Sequence, residues 1–132
     1  MLHHFGPLYY SIGGDHCIGS YGLGTGFDHL LLTQDDYQRR ISDMEFFGAL
    51  PYPQTFCNAW AVWNRFSFAR VVDYLDAFDK HTDLLTVHAT VLTEALEFRE
   101  QHPVQWKKML DAGVAEQDLL VSALSVVASK RF

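Results

Sequence analysis

Thr82-Asp83-Leu84-Leu85-Thr86-Val87-His88-Ala89-Thr90-Val91-Leu92-Thr93-Glu94-Ala95-Leu96-Glu97 is the stretch on which the fold turns. Its apolar positions repeat at three and four residues: Leu84, Leu85, His88, Val91, Leu92, Ala95 and Leu96 fall on one helical face. Thr86, Thr90, Thr93, Glu97 and Glu100 fall on the other, so the spacing predicts an amphipathic helix over about 83–101. Such a helix buries its leucine stripe and turns threonines and glutamates to water.

Upstream, Phe68, Val71, Val72, Leu75 and Phe78 form the inner stripe of a helix capped by Ser67. Before it, residues 55–64 are apolar nearly all round (Phe56, Cys57, Trp60, Val62, Trp63), the pattern of a helix in the middle of a domain. Thr33-Gln34-Asp35-Asp36 offers a hydroxyl cap and first-turn acid for another helix, which ends at Gly48. Pro51 and Pro53 stiffen the connector that follows.

Downstream, His102-Pro103 opens a short helix through Val104, Trp106, Met109 and Leu110, stopped by Gly113. Leu119, Leu120, Ala123, Leu124, Val126 and Val127 predict a last helix over about 115–130. Along it Asp118, Ser122, Ser125 and Ser129 draw a narrow polar line, a candidate homodimer contact because small residues admit a second helix.

Residues 1–33 differ in kind. They hold seven of the nine glycines, four of the seven histidines and no Lys or Arg. Leu8–Ile12 and Cys17–Tyr21 read as two short strands turned at Gly13-Gly14-Asp15-His16, followed by a loop at Gly22-x-Gly24-x-Gly26. The expectation is therefore a single domain over 1–132, mainly α (α+β). A short N-terminal β-hairpin from 1–33 packs on a compact bundle of about six short helices from 34–132. Phe56, Trp60, Trp63, Phe68, Val72, Leu75, Leu92 and Leu124 are the predicted core.

The chain has 132 residues, with 10 Lys and Arg against 16 Asp and Glu, a net charge of -6. An anionic surface repels phosphate backbones, and the cations come only as doublets such as Arg39-Arg40 and Lys107-Lys108, so direct nucleic-acid binding is disfavoured. No apolar run reaches the roughly 20 residues of a membrane span, and the start lacks the basic, apolar pattern of a secretory signal. Two cysteines, Cys17 and Cys57, make no disulfide framework, and a cytoplasmic location is expected.

Catalytic spacings are sparse. Gly22-x-Gly24-x-Gly26 lacks the dinucleotide spacing, and Gly19-Ser20-Tyr21-Gly22 is not a nucleophile elbow. His88 sits mid-stripe and reads as a core histidine. His16, Cys17 and His29 form the alternative metal set, but without a C-x-x-C or H-E-x-x-H pattern no cofactor is expected. In an enzyme, these three and Asp15 would supply ligand, base or nucleophile.

The strongest partner signal is acidic. Asp73, Asp76, Asp79 and Asp83, with Glu97 and Glu100, make 67–101 the most anionic region. Complementary charge would draw it to a basic surface. The leading expectation is a non-catalytic protein-binding domain (inhibitor, adaptor or accessory subunit) docking on a basic protein, in one version a phage or mobile-element inhibitor. The alternatives are a small enzyme or metal-binding protein with a site between the N-terminal His/Cys/Gly segment and the helices, and a structural subunit of a larger assembly.

Overall fold

Residues 121–130 alternate in burial, not in helical period: Leu124, Val126 and Ala128 are buried, while Val127 and Ser129 are exposed. That two-residue period is a strand's, since successive side chains leave a pleated backbone on opposite sides. The computed structural model describes residues 2–16, 24–43 and 68–130. In it β1 (Leu2–Phe5), β2 (Thr82–Val91) and β3 (Val121–Lys130) form an antiparallel sheet in the order β1-β3-β2. Six helices accompany it among the described residues: α1 (Asp28–Leu31), α2 (Gln34–Asp43), α3 (Val71–Asp79), α4 (Thr93–Gln101), α5 (Pro103–Asp111) and α6 (Glu116–Leu120).

This corrects the predicted bundle. The fold is mixed α+β, and the helices expected over 83–101 and 115–130 each divide into a strand and a shorter helix. The cause is readable in β2. Thr86, His88 and Thr90 alternate with Val87, Ala89 and Val91, and five of its ten residues are β-branched. Branching at Cβ costs side-chain freedom in a helix and packs well on a pleated surface. The helical spacing of Leu84, Leu85 and His88 coincides with this alternation over a few residues, and the longer-range pairing with β3 decides between them.

The predicted N-terminal hairpin is also absent from the described residues. Residues 8–16 run through turns, with Ser11 N–H donating to the Leu8 carbonyl (3.1 Å) and Gly14 N–H to that of Ser11 (3.0 Å). The N-terminal strand is instead β1, which pairs with β3 near the other end of the sequence, His4 opposite Ser125 and Phe5 opposite Leu124. The second predicted hairpin strand, the Pro51–Pro53 connector and the predicted helix over 55–64, with Phe56, Trp60 and Trp63, lie outside the described residues.

One face of the sheet is covered by α3. Val71, Leu8, Val121, Leu124, Val126 and Ala128 form one core, with Phe5, Tyr74, Leu75, Phe78 and Val87 packed against it. Of the predicted core residues, Leu124 is fully buried and Leu75 half-buried, whereas Phe68, Val72 and Leu92 are exposed. A second core joins α1, α4, α5 and α6 through Phe27, Ala95, Phe98, Trp106, Met109 and Leu119. Burial of a single large apolar side chain contributes about 1.5–3 kcal/mol, so each of these clusters is a substantial source of stability.

Local caps follow the sequence more closely. Thr33 Oγ1 accepts the Asp36 N–H at 3.1 Å, and Pro103 opens α5, both as predicted. For α3, Asp73 reaches back so that Oδ2 accepts the Arg70 N–H at 2.8 Å. Asp118, buried in α6, accepts the Val71 N–H at 2.9 Å and so ties the start of α3 to α6. Asp118→Ala removes that acceptor and leaves a buried donor, and a loss of about 1–2 kcal/mol is expected in urea unfolding followed by circular dichroism.

Candidate functional site

Between the glycine-rich segment and α4 lies a cavity of about 510 Å³. Gly13, Gly24, Thr25 and Gly26 form one wall; Glu94, Glu97, Phe98, Gln101 and His102 form the other. The glycine wall needs its glycines. Gly26 has φ +78°, a left-handed conformation, and a Cβ there would strike the Ile12 side chain. Its carbonyl accepts the Gly13 N–H at 2.8 Å, which pins residues 11–13 to the loop before α1.

On the opposite wall, Glu94 and Glu97 stand one turn apart on α4. Neither is hydrogen-bonded or ion-paired to any described residue, and no Lys or Arg among the described residues lines the cavity. Phe98, buried in the second core, packs at a tilt of 37° against the His102 ring with centroids 4.7 Å apart.

Behind the glycine wall sits a buried polar cluster. Asp28 accepts from the Thr25 N–H (2.9 Å) and the Thr25 hydroxyl (3.1 Å), and the half-exposed Arg40 guanidinium lies 3.5 Å away. Tyr37 donates its hydroxyl to Asp15 at 2.6 Å, with both side chains fully buried. His29, also buried, donates Nε2–H to the Tyr9 carbonyl at 2.6 Å. That bond places the neutral ring's hydrogen on Nε2, so Nδ1 is a bare acceptor without a hydrogen-bond partner among the described residues. Burial pushes the His29 pKa below its usual value of 6.5, against Asp15, the Tyr9 carbonyl and Asp28, which favour the cation; His16 opposes it. The Tyr9 hydroxyl is pushed up to about 12, by burial first and then by Tyr10 and Asp15.

Of the alternative metal set, His16 takes φ +53° and its Nε2 lies 3.0 Å from the Pro7 carbonyl, while Cys17 lies outside the described residues. His29 and Asp15 are drawn into one cluster with His16 nearby. No group of three metal-ligating side chains occurs among the described residues. Asp28 was not singled out by sequence reasoning; the Thr25-x-x-Asp28 spacing before α1 was its signal, a local hydroxyl–carboxylate pairing.

The acidic residues separate into two places. Asp73, Asp76 and Asp79 are exposed on the face of α3 opposite Val71, Tyr74, Leu75 and Phe78. Asp83 is exposed at a register shift near the start of β2. Glu97 and Glu100 belong to α4, which packs in the second core, so the expected continuous helical surface over 67–101 is interrupted by a strand.

His88 corrects its core reading. It faces outward on β2 opposite Ser125, whose hydroxyl lies 3.0 Å from His4 Nδ1 on the other flank. The predicted polar line is likewise broken: Asp118 and Ser122 are buried, whereas Ser125 and Ser129 lie on the outer sheet face.

No helix among the described residues is long and apolar enough to cross a membrane. No protein-family model, curated protein or solved structure matches the chain.

Proposed function

We propose that the protein is a non-catalytic binding domain that docks on a basic protein partner, acting as an inhibitor, adaptor or accessory subunit. The observation that supports this reading is the solvent face of α3. Asp73, Asp76 and Asp79 share it, and neither Asp76 nor Asp79 pairs with any described residue. Carboxylates without internal partners keep their full charge for an approaching surface, where they raise the association rate and reject anionic competitors. The helix itself carries no Lys or Arg, and its two caps, Arg70 and Lys80, are outnumbered by the three aspartates, so the face stays net negative.

The test compares the full-length chain with its Asp76→Asn/Asp79→Asn variant as bait in lysate from the native cell. The expected result is a basic protein retained by the wild type, lost by the variant, and released at about 0.5 M salt, where screening confines charge interactions to a few ångströms. Retention of the same proteins by both baits, or retention indifferent to salt, overturns the reading.

A second reading, a small-molecule site between the N-terminal segment and the helices, is favoured by the cavity there. Its volume of about 510 Å³ and its mixed polar and apolar lining suit a small ligand.

A further inference from the structure

We propose that the cavity between the glycine wall and α4 is a binding site for an organic cation, a guanidinium or primary ammonium on a short aliphatic stem. The inference stands apart from the α3 docking face, because it uses a different helix and a concave site.

Three features converge on this ligand chemistry. First, the volume of about 510 Å³ matches a small molecule or one long side chain, not a flat protein contact. Second, among the described residues the formally charged side chains on the wall are Glu94 and Glu97, and neither has a partner there. Two carboxylates at neighbouring positions on one helix repel each other at a cost that a bound cation removes. The same pair, with no Lys or Arg beside it among the described lining residues, turns away phosphates and carboxylates. Third, Ile12, Leu92 and Phe98 give the cavity an apolar side on which an alkyl stem can lie, next to the charged end.

The glycine wall suits this role. With φ +69° at Gly24 and +78° at Gly26, bare backbone faces the cavity on either side of Thr25. A guanidinium has five donors and an ammonium three, and both need acceptors beyond two carboxylates; the Gln101 side-chain amide on the same wall is one.

The cation has two possible sources, a free amine or an Arg or Lys side chain of a protein. Calorimetric titration of the full chain with agmatine, with the capped tripeptide acetyl-Gly-Arg-Gly-amide, and with the neutral analogue 1-butanol separates them. Saturable binding of agmatine or the peptide, with at least a tenfold loss in Glu94→Gln/Glu97→Gln and none in Asp76→Asn/Asp79→Asn, is expected. Tighter binding of agmatine assigns the site to a free amine; tighter binding of the peptide assigns it to a protein side chain. Both glutamates are exposed, so the variant keeps its fold, and an unchanged melting curve verifies this. No saturable binding of either cation, equal binding by Glu94→Gln/Glu97→Gln, or equal binding of 1-butanol overturns the proposal. Failure of the α3 bait experiment leaves this result unaffected.

Discussion

Val126→Asp is expected to destabilise the protein by more than about 4 kcal/mol, while Val127→Asp, one residue away, changes stability by less than about 1 kcal/mol. Val126 is fully buried on the central strand, packed with Leu124, Ala128 and the α3 side chains. A carboxylate there must be desolvated with no partner, or be protonated at the expense of folding. Val127 points out from the sheet and is 48% exposed, so its carboxylate stays in water and alters only strand propensity. The pair also separates two folds. On a helix over 115–130 with Leu119, Leu120, Ala123, Leu124, Val126 and Val127 on its inner face, both variants would introduce a carboxylate into the core and cost similar amounts. Urea midpoints measured by circular dichroism distinguish the cases, and equal losses would reject β3.

That test bears on why the fold was only partly legible. Short-range signals held best: the Thr33 hydroxyl cap and Pro103 at the start of α5 depend on residues within a turn of one another, and of the stripe expected for α3, Val71, Leu75 and Phe78 face the core while Phe68 and Val72 are exposed. Pairing partners far apart in sequence did not announce themselves. β1 and β3 join Phe5 to Leu124, and no local feature of either segment names the other. In Leu84–Val91 and Val121–Val127 the apolar residues satisfy a 3.6-residue and a two-residue period at once, and only the sheet resolves them. The β-branched residues of β2 were the available clue, outweighed by the leucine spacing.

The candidate site divides along the same line. A cavity lies between the glycine-rich segment and the helices, where the alternative reading put a site because seven clustered glycines and no cation mark the first 33 residues as unlike the rest. Its composition was not legible. Glu94 and Glu97 meet Gly24 and Gly26 only through the packing of α1 against α5 and of α4 against α5, which the sequence does not display. The same packing turns Asp15, His29 and Tyr37 inward, away from any ligand in the cavity, and makes them the structural support of the glycine wall.

That support makes folding sensitive to mild acid. His29 is held neutral by burial, its pKa below the 6.5 of an exposed imidazole, so between those two values the unfolded chain binds a proton that the folded chain does not. Stability is therefore full above pH 6.5 and falls as the pH drops below it, until the folded-state pKa is reached. The slope approaches about 1.4 kcal/mol per pH unit from this one group. The second proton would go to Nδ1, which faces no acceptor among the described residues, while Asp15 and Asp28 limit the effect without cancelling the desolvation that causes it. His29→Gln can keep a donor for the Tyr9 carbonyl but does not titrate. The difference in unfolding free energy between wild type and His29→Gln, measured from pH 8 to pH 5, is expected to be flat above pH 6.5 and to shift against the wild type below it. A difference that is constant across the range, or that favours the wild type in acid, would mean that His29 is protonated in the folded protein and that the cluster behind the glycine wall carries a positive charge.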